Sequence, residues 1–547
     1  MQIADYQATE TAMDKVRALL DARQPAEAIA FADACEGDQP LVTQVRALAC
    51  THGGTMLRDR ELIERGAWLW MQAGVDKHPG LGYNLSNAHL DLWDLAVAEH
   101  GFVVAIQDHR HHLHTARELL FAAAADEQVP QDTRVQALTN LGNSYDNLGR
   151  DADAIAAYDQ ALALDPGFGM ALGNKALTLL GVAPLARQHV PALLSEAVDA
   201  FDAAIEDRDR VIRIGGLSAL EHFEAGRARI KVSDAEPSNK PGHVHRPGFR
   251  YSDWQDPYLR WCARHGLFLH VSLGCLSESY EELDPLFFEG VTVGLSDGEQ
   301  RRVKDLVDAF NAVKQDLMAA RYLLWLASGD ESPIREHAAA TSQRAGFLDS
   351  LMYARWGVRT GIAVQAFAAA TNLLDKVACL VHLYYRTRRK TTAVSFRYLW
   401  HRRTQKNKPD VMDAELTDQF ADGRGNRGLM ALCDLSCDLE TESPLNELVE
   451  RRHSATHRFL TVHSMLLDSD ETNAEWLERV DWYELTEGAM RLLSTARAGI
   501  IYLARTIDIA EQAAAEHRDE GADGTGRRGF LPSIPLFRAS TEHPDFE

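Results

Sequence analysis

Residues Val135–Phe168 read VQALTNLGNSYDNLGRDADAIAAYDQALALDPGF. In this 34-residue frame Leu141, Gly142 and Tyr145 fall on a first helix, and Ala154, Tyr158 and Ala161 on a second. The small residues let two helices approach closely, the two tyrosines fill the gap between them, and Pro166 stops the second helix. Weaker copies flank the stretch. Asn84-Leu85-Ser86-Asn87-Ala88-His89 repeats the first-helix start, with Ala116 to Ala124 as its delayed second helix. Met170 to Leu180 reads as a further first helix with Ala176 at the small position, and Ala26 to Ala34 as an earlier second helix. One such pair cannot bury its apolar face alone, so at least three are expected to stack into a solenoid.

The central stretch resembles a tetratricopeptide repeat, with seven positions agreeing at fixed spacing. The expected fold is all-α: a tetratricopeptide-like α-solenoid over 1–215, a helical connecting region over 216–360 and a C-terminal helical domain over 361–515. The segment 516–547 is expected to be a flexible tail, being polar, Gly-rich and Pro-interrupted. Residues 234–250, DAEPSNKPGHVHRPGFR, read as a linker. Helical spacing runs through Leu306, Phe310, Val313, Leu317 and Ala320, and 361–387, 427–439, 444–464 and 475–514 are further helices. No convincing alternating strand is visible.

The chain has 547 residues, enough for two to four domains. Hydrophobic residues at 46% and charged residues at 25% suit a globular protein with a sizeable core. A net charge of −23 argues against coating nucleic acid or an anionic membrane over the whole surface. The seven cysteines are scattered and form no C-x-x-C pair, so a disulfide framework and a structural zinc site are not expected. The start, MQIADYQATETAMDK, has no basic region before an apolar one, and no apolar run approaches ~18 residues. A cytoplasmic protein with no membrane partner is the expectation.

Three segments can carry chemistry. Asp108-His109-Arg110-His111-His112-Leu113-His114 concentrates imidazoles, but a metal would need converging ligands, and a solvated insertion between two helices is the favoured reading. His243 and His245, in the linker, are likewise expected to be solvated rather than metal-bound. From Arg386 to Pro409 the chain reads RTRRKTTAVSFRYLWHRRTQKNKP, with nine Lys/Arg and no Asp or Glu. Phe396, Tyr398 and Trp400 interleave with the cations, a pattern suited to stacking on unpaired bases beside phosphate contacts.

The third segment, Pro444–Ser464, reads PLNELVERRHSATHRFLTVHS and contains Arg452 and His457 in an R-x4-H spacing. That spacing also occurs at Arg260/His265, Arg458/His463 and Arg538/His543, so context must choose among the four pairs. On a continuous helix Leu445, Leu448, Val449, Ala455 and Phe459 make an apolar stripe, with Arg452 near its middle. His457 lies about 140° away. An arginine aimed at a core is costly unless it is paired or works.

The segment resembles the HEPN superfamily, all-α domains with an R-x4–6-H signature on a late helix of a four-helix bundle. Asn372-Leu373-Leu374-Asp375-Lys376-Val377-Ala378 with Tyr384-Tyr385 looks like the first long helix of a HEPN branch with N-terminal tetratricopeptide repeats. Asn426 to Leu432 looks like the next helix. Gly266-Leu267-Phe268-Leu269-His270 and Asn311 through Arg321-Tyr322 resemble connecting segments of that branch. Of the four pairs, only Arg452/His457 sits where the family places its motif. The branch pattern has Asn after the arginine and an acidic residue before the histidine, where this chain has His453 and Thr456.

The resemblance implies a metal-independent endoribonuclease without cofactor, often a toxin or an effector in defence against phage. Its RNA supplies the 2′-OH nucleophile. His457 would serve as general base or acid, Arg452 would hold the scissile phosphate, and His453 would assist. Single-stranded RNA would be guided by Arg386, Arg388, Arg389, Lys390, Arg397, Arg402, Arg403, Arg451 and Arg458. A homodimer through the HEPN domain is expected, with a protein, peptide or RNA trigger on the repeat array. The alternative is an adaptor or RNA-binding scaffold on the same architecture, without catalysis.

Overall fold

The computed structural model describes residues 1–3, 5–75, 78–231, 251–288, 290–291, 297–348, 351–402, 411–412, 414–420, 425–439, 444–465 and 476–520. The expected linker over 234–250, with His243 and His245, lies outside them, as does the tail beyond 520. Two units divide the chain. Met1–Ala263, His270–Pro285 and His401–Gly425 form the first, and Arg264–Leu269, Leu286–Trp400 and Asn426–Glu547 the second.

The first unit is a run of helices: α1 (Tyr6–Asp21), α2 (Pro25–Asp33), α3 (Gln39–Leu57), α4 (Arg60–Gln72), α5 (Pro79–His100), α6 (Arg110–Ala125), α7 (Gln131–Asp146), α8 (Asp151–Leu164), α9 (Gly169–Val182), α10 (Val190–Glu206) and α11 (Arg208–Ala228). Each packs on its chain neighbour, α3 on α4, α5 on α6, α7 on α8 and α9 on α10, so the apolar face of one pair is covered by the next. The close approach read from the repeat is real. A Cβ on Gly142 would stand 2.4 Å from the Tyr158 ring, a distance only glycine avoids. Tyr158 is buried, and its hydroxyl donates to Asn143 Oδ1 at 2.9 Å, so the ring is locked against α7. Tyr145 lies between two cations, with Arg117 at 4.4 Å and Arg150 at 4.7 Å from its ring centroid.

In the second unit, α12 (Asp297–Ser328), α14 (Val358–Tyr385), α15 (Arg427–Cys437) and α17 (Trp482–Glu520) pack into a bundle, with the short α13 (Arg335–Ser342) against α14. Leu306, Phe310, Val313, Leu317 and Ala320 are all buried along α12, as their spacing requires. Asn426 caps α15 by accepting from Leu429 N at 3.0 Å. Its amide donates to Thr506 O at 2.7 Å and to the Tyr385 hydroxyl at 3.2 Å. The connecting segment is held from both sides: Arg321 donates to Leu267 O at 3.0 Å and Arg497 to Phe268 O at 2.6 Å.

Three expectations need correction. Among the described residues α14 is long and apolar enough to cross a membrane, where the sequence reading expects no such run. It is mostly buried against α12 and α17, which is why most of its faces are apolar. The helix expected over 444–464 ends early: α16 spans Pro444–His457, and β1 (Phe459–His463) follows. The helix expected over 475–514 begins late, after β2 (Leu477–Asp481), and runs on to Glu520. β1 and β2 pair in parallel, with Phe459 opposite Leu477 and His463 opposite Asp481. Ala354 bridges antiparallel to His463 on the other side. β-branched Thr461 and Val462 favour this extended form once partners are present.

Candidate active site

The motif helix α16 is seated from two sides. Leu448 is buried, and a Cβ on Gly488 of α17 would come within 2.7 Å of Leu448 Cδ2, so glycine opens the seat. Arg451 then ties α16 to the sheet. Its Nε donates to Glu478 Oε1 at 2.7 Å, and its Nη2 lies 2.6 Å from Glu484 Oε1. Burial works against the Arg451 charge, but the two carboxylates outweigh it and raise its pKa above the ordinary guanidinium value. Expected as an RNA contact, Arg451 is instead an internal clamp with its side chain 13% exposed.

Arg452 does not enter the core. Its side chain is 33% exposed, and Nη1 stands 2.6 Å from Asp375 Oδ2 on α14, with Asn372 Oδ1 at 3.5 Å. The stripe that placed it inward assumed a helix reaching Phe459, whereas that residue lies in β1 and is 64% exposed. Asp375 Oδ1 accepts the Phe396 N–H at 3.0 Å, so both carboxylate oxygens are engaged. One residue on, Lys376 pairs with Asp316 of α12. The sequence NLLDK therefore places two polar partners and a cation on an otherwise apolar helix. That irregularity is the signal that could have named Asp375 and Asn372 as site residues. The backbone of α16 carries His453 and His457, but their side chains lie outside the described residues.

The basic stretch divides. Arg386, which ends α14 in the left-handed region with φ 55°, is exposed, as are Arg388 and Lys390. Arg389 is half-buried. Arg397 turns to α16, donating to Asn446 Oδ1 at 2.9 Å and reaching Glu450 Oε1 at 3.3 Å. Arg458 is exposed just past α16. Arg403 and the side chain of Arg402 lie outside the described residues. The expectation that Phe396 and Trp400 stack on bases is overturned, because both are at most 1% exposed and the Trp400 indole donates to Phe396 O at 2.8 Å. Only Tyr398 of the three faces solvent.

Of the other R-x4-H pairs, His463 is buried in β1 with Nδ1 2.7 Å from Met352 O, and Arg260 donates to Trp254 O at 2.7 Å. Arg538/His543 lies outside the described residues. The histidine-rich segment spans a π-helical turn (Ala105–His109) and the start of α6, with His89 and His112 meeting Nδ1 to Nδ1 at 3.0 Å. Among the described residues no group of three or more His, Cys, Asp or Glu is arranged to hold a metal ion.

Residues 298–510 match the family model of the LA2681-like HEPN domain, and residues 135–168 that of the tetratricopeptide repeat. The chain carries a HEPN domain in its C-terminal part and a tetratricopeptide repeat in its N-terminal part. The HEPN match takes in α12, upstream of residue 361, and with it the buried face that packs on α14. No curated protein matches the chain.

Proposed function

We propose that the protein is a metal-independent endoribonuclease whose site is built on α16. The observation that carries this reading is Arg452: a guanidinium of the R-x4-H motif, on the surface of a HEPN bundle, held by Asp375 with a third of its side chain open to solvent. In this reading Arg452 grips the scissile phosphate through its planar fork and offsets charge developing in the transition state. His457 moves the proton of the attacking 2′-OH, and His453 assists that transfer or orients the phosphate. The products are a 2′,3′-cyclic phosphate and a 5′-hydroxyl. Exposed Arg386, Arg388, Lys390 and Arg458 contribute electrostatic guidance for single-stranded RNA. The repeat array receives the activating partner, and pairing of two HEPN domains completes the site. Antiphage defence in the cytoplasm is the setting this mechanism fits.

One feature favours the rival reading of a non-catalytic adaptor: Arg452 already has a carboxylate partner, as a structural arginine would. Labelled single-stranded RNA incubated with the protein in EDTA separates the two. Cleavage to cyclic-phosphate ends, lost in folded Arg452→Ala and His457→Ala variants, is the expected result. Cleavage that persists in both variants overturns the site, and RNA binding without cleavage points to the adaptor.

A further inference from the structure

Where α16 gives way to β1, two large aromatic side chains stand in water. Phe459 is 64% and Trp476 60% exposed, and the Phe459 N–H donates to Trp476 O at 3.2 Å. Their rings meet edge to face, with centroids 6.0 Å apart and planes at 86°. In that arrangement the ring presented by its edge keeps its faces free to stack. Phe459 follows His457 by two positions and Arg452 by seven, opening the strand that leaves the end of α16. The pair is not loosely hung, because Arg451 of α16 is clamped to Glu478, two residues beyond Trp476. Exposed Arg458 adjoins it in sequence.

We propose that Phe459 and Trp476 form a base-stacking subsite for an unpaired nucleotide adjoining the linkage held by Arg452; this rests on the ribonuclease reading above. The basic stretch offers only the single ring of Tyr398, since its Phe396 and Trp400 are buried. A pair of rings beside a cation, at the end of the motif helix, suits a nucleobase and its phosphate. Stacking of this kind accepts any base, because every base has a π-face. The substrate class is therefore single-stranded RNA with little base preference at this position.

Full-length protein is titrated with fluorescent 2′-O-methyl strands, which cannot be cleaved by 2′-OH attack, and with a matched abasic strand. Trp476→Ala should weaken binding to the base-bearing strand about tenfold, with Phe459→Ala acting in the same direction, while Trp476→Phe stays within about twofold. On the abasic strand Trp476→Ala should change nothing. Equal affinity of Trp476→Ala and wild type for the base-bearing strand overturns the subsite. So does unchanged RNA affinity together with a smaller sedimentation coefficient, which would make the pair a contact between subunits. Cleavage of the ribose strand is scored separately: its absence, with the base-dependent loss intact, removes the ribonuclease and leaves the stacking platform standing.

Discussion

Arg452 and Asp375, 77 positions apart in sequence, meet at 2.6 Å across α16 and α14, each about one-third exposed. The same carboxylate accepts the Phe396 N–H through its other oxygen, so it is fixed before any ligand arrives. A phosphate approaching Arg452 must compete with it. Asp375→Asn retains an acceptor for Phe396 and removes the competing charge. RNA affinity is expected to rise roughly two- to fivefold, and the dependence of binding on salt to steepen by up to about 0.7 in log–log slope, one phosphate contact's worth. Stability should fall by less than about 1 kcal/mol, as for other partly exposed pairs. Fluorescence polarisation across a salt series reads the first two; an affinity that does not move would mean that Asp375 and the phosphate do not share Arg452.

Arg451 behaves differently although it is the next residue. It lies between Glu478 and Glu484, the first of them 21% and the second 50% exposed. Arg451→Ala leaves both carboxylates without their cation and is expected to destabilise the HEPN domain by about 2 kcal/mol, below the roughly 3–5 kcal/mol of a fully buried pair because Glu484 stays half in water. Adding Glu478→Gln should return part of that loss. The salt slope of RNA binding should stay at the wild-type value, and a decrease would restore Arg451 to the RNA contacts.

Neighbouring arginines with such different surroundings mark how far a one-dimensional pattern reaches. The tetratricopeptide pair was legible because its determinants, Gly142 and Tyr158, lie sixteen positions apart and meet through local helix geometry. The α12 face was legible for the same reason: a period of 3.6 is written within one element. The site was legible as a motif and not as an arrangement. A stripe carried on to Phe459 turns Arg452 inward, and the strand that interrupts it depends on partners at Ala354 and Leu477–Asp481. Five residues of β1 hold too weak a local preference to announce themselves without those partners. Phe396 and Trp400 looked like solvent-facing rings because cations surround them in sequence. In space the chain turns back through the Trp400 indole bond to Phe396 O and buries both.

Gly142→Ala tests the repeat directly. The added methyl would meet the Tyr158 ring at 2.4 Å, so α7 and α8 must separate or the ring must leave its rotamer. Overpacking of this kind costs about 1–3 kcal/mol. A second change, Tyr158→Leu, makes room for the methyl and should be less damaging in the Gly142→Ala background than alone. Thermal unfolding of the four proteins gives the coupling, and strictly additive losses would mean that the two residues do not determine each other.

His89 and His112 give the repeat array a pH dependence of known sign. Burial, followed by the charge of His111, lowers the pKa of His89 to about 4 and that of His112 to about 3, from an ordinary 6.5. The facing Nδ1 atoms, 3.0 Å apart, have no room for a proton each. As pH falls below 6.5 the unfolded chain takes up protons that the folded rings refuse, so stability is complete above that value and declines toward pH 4. Both rings keep partial access to water, which makes the decline shallower than the shifts alone imply. His112→Gln removes one refused proton. It is therefore expected to flatten unfolding free energy between pH 6.5 and 4 relative to wild type, measured by urea titration at each pH. Parallel curves for the two proteins would place the acid sensitivity of the array elsewhere.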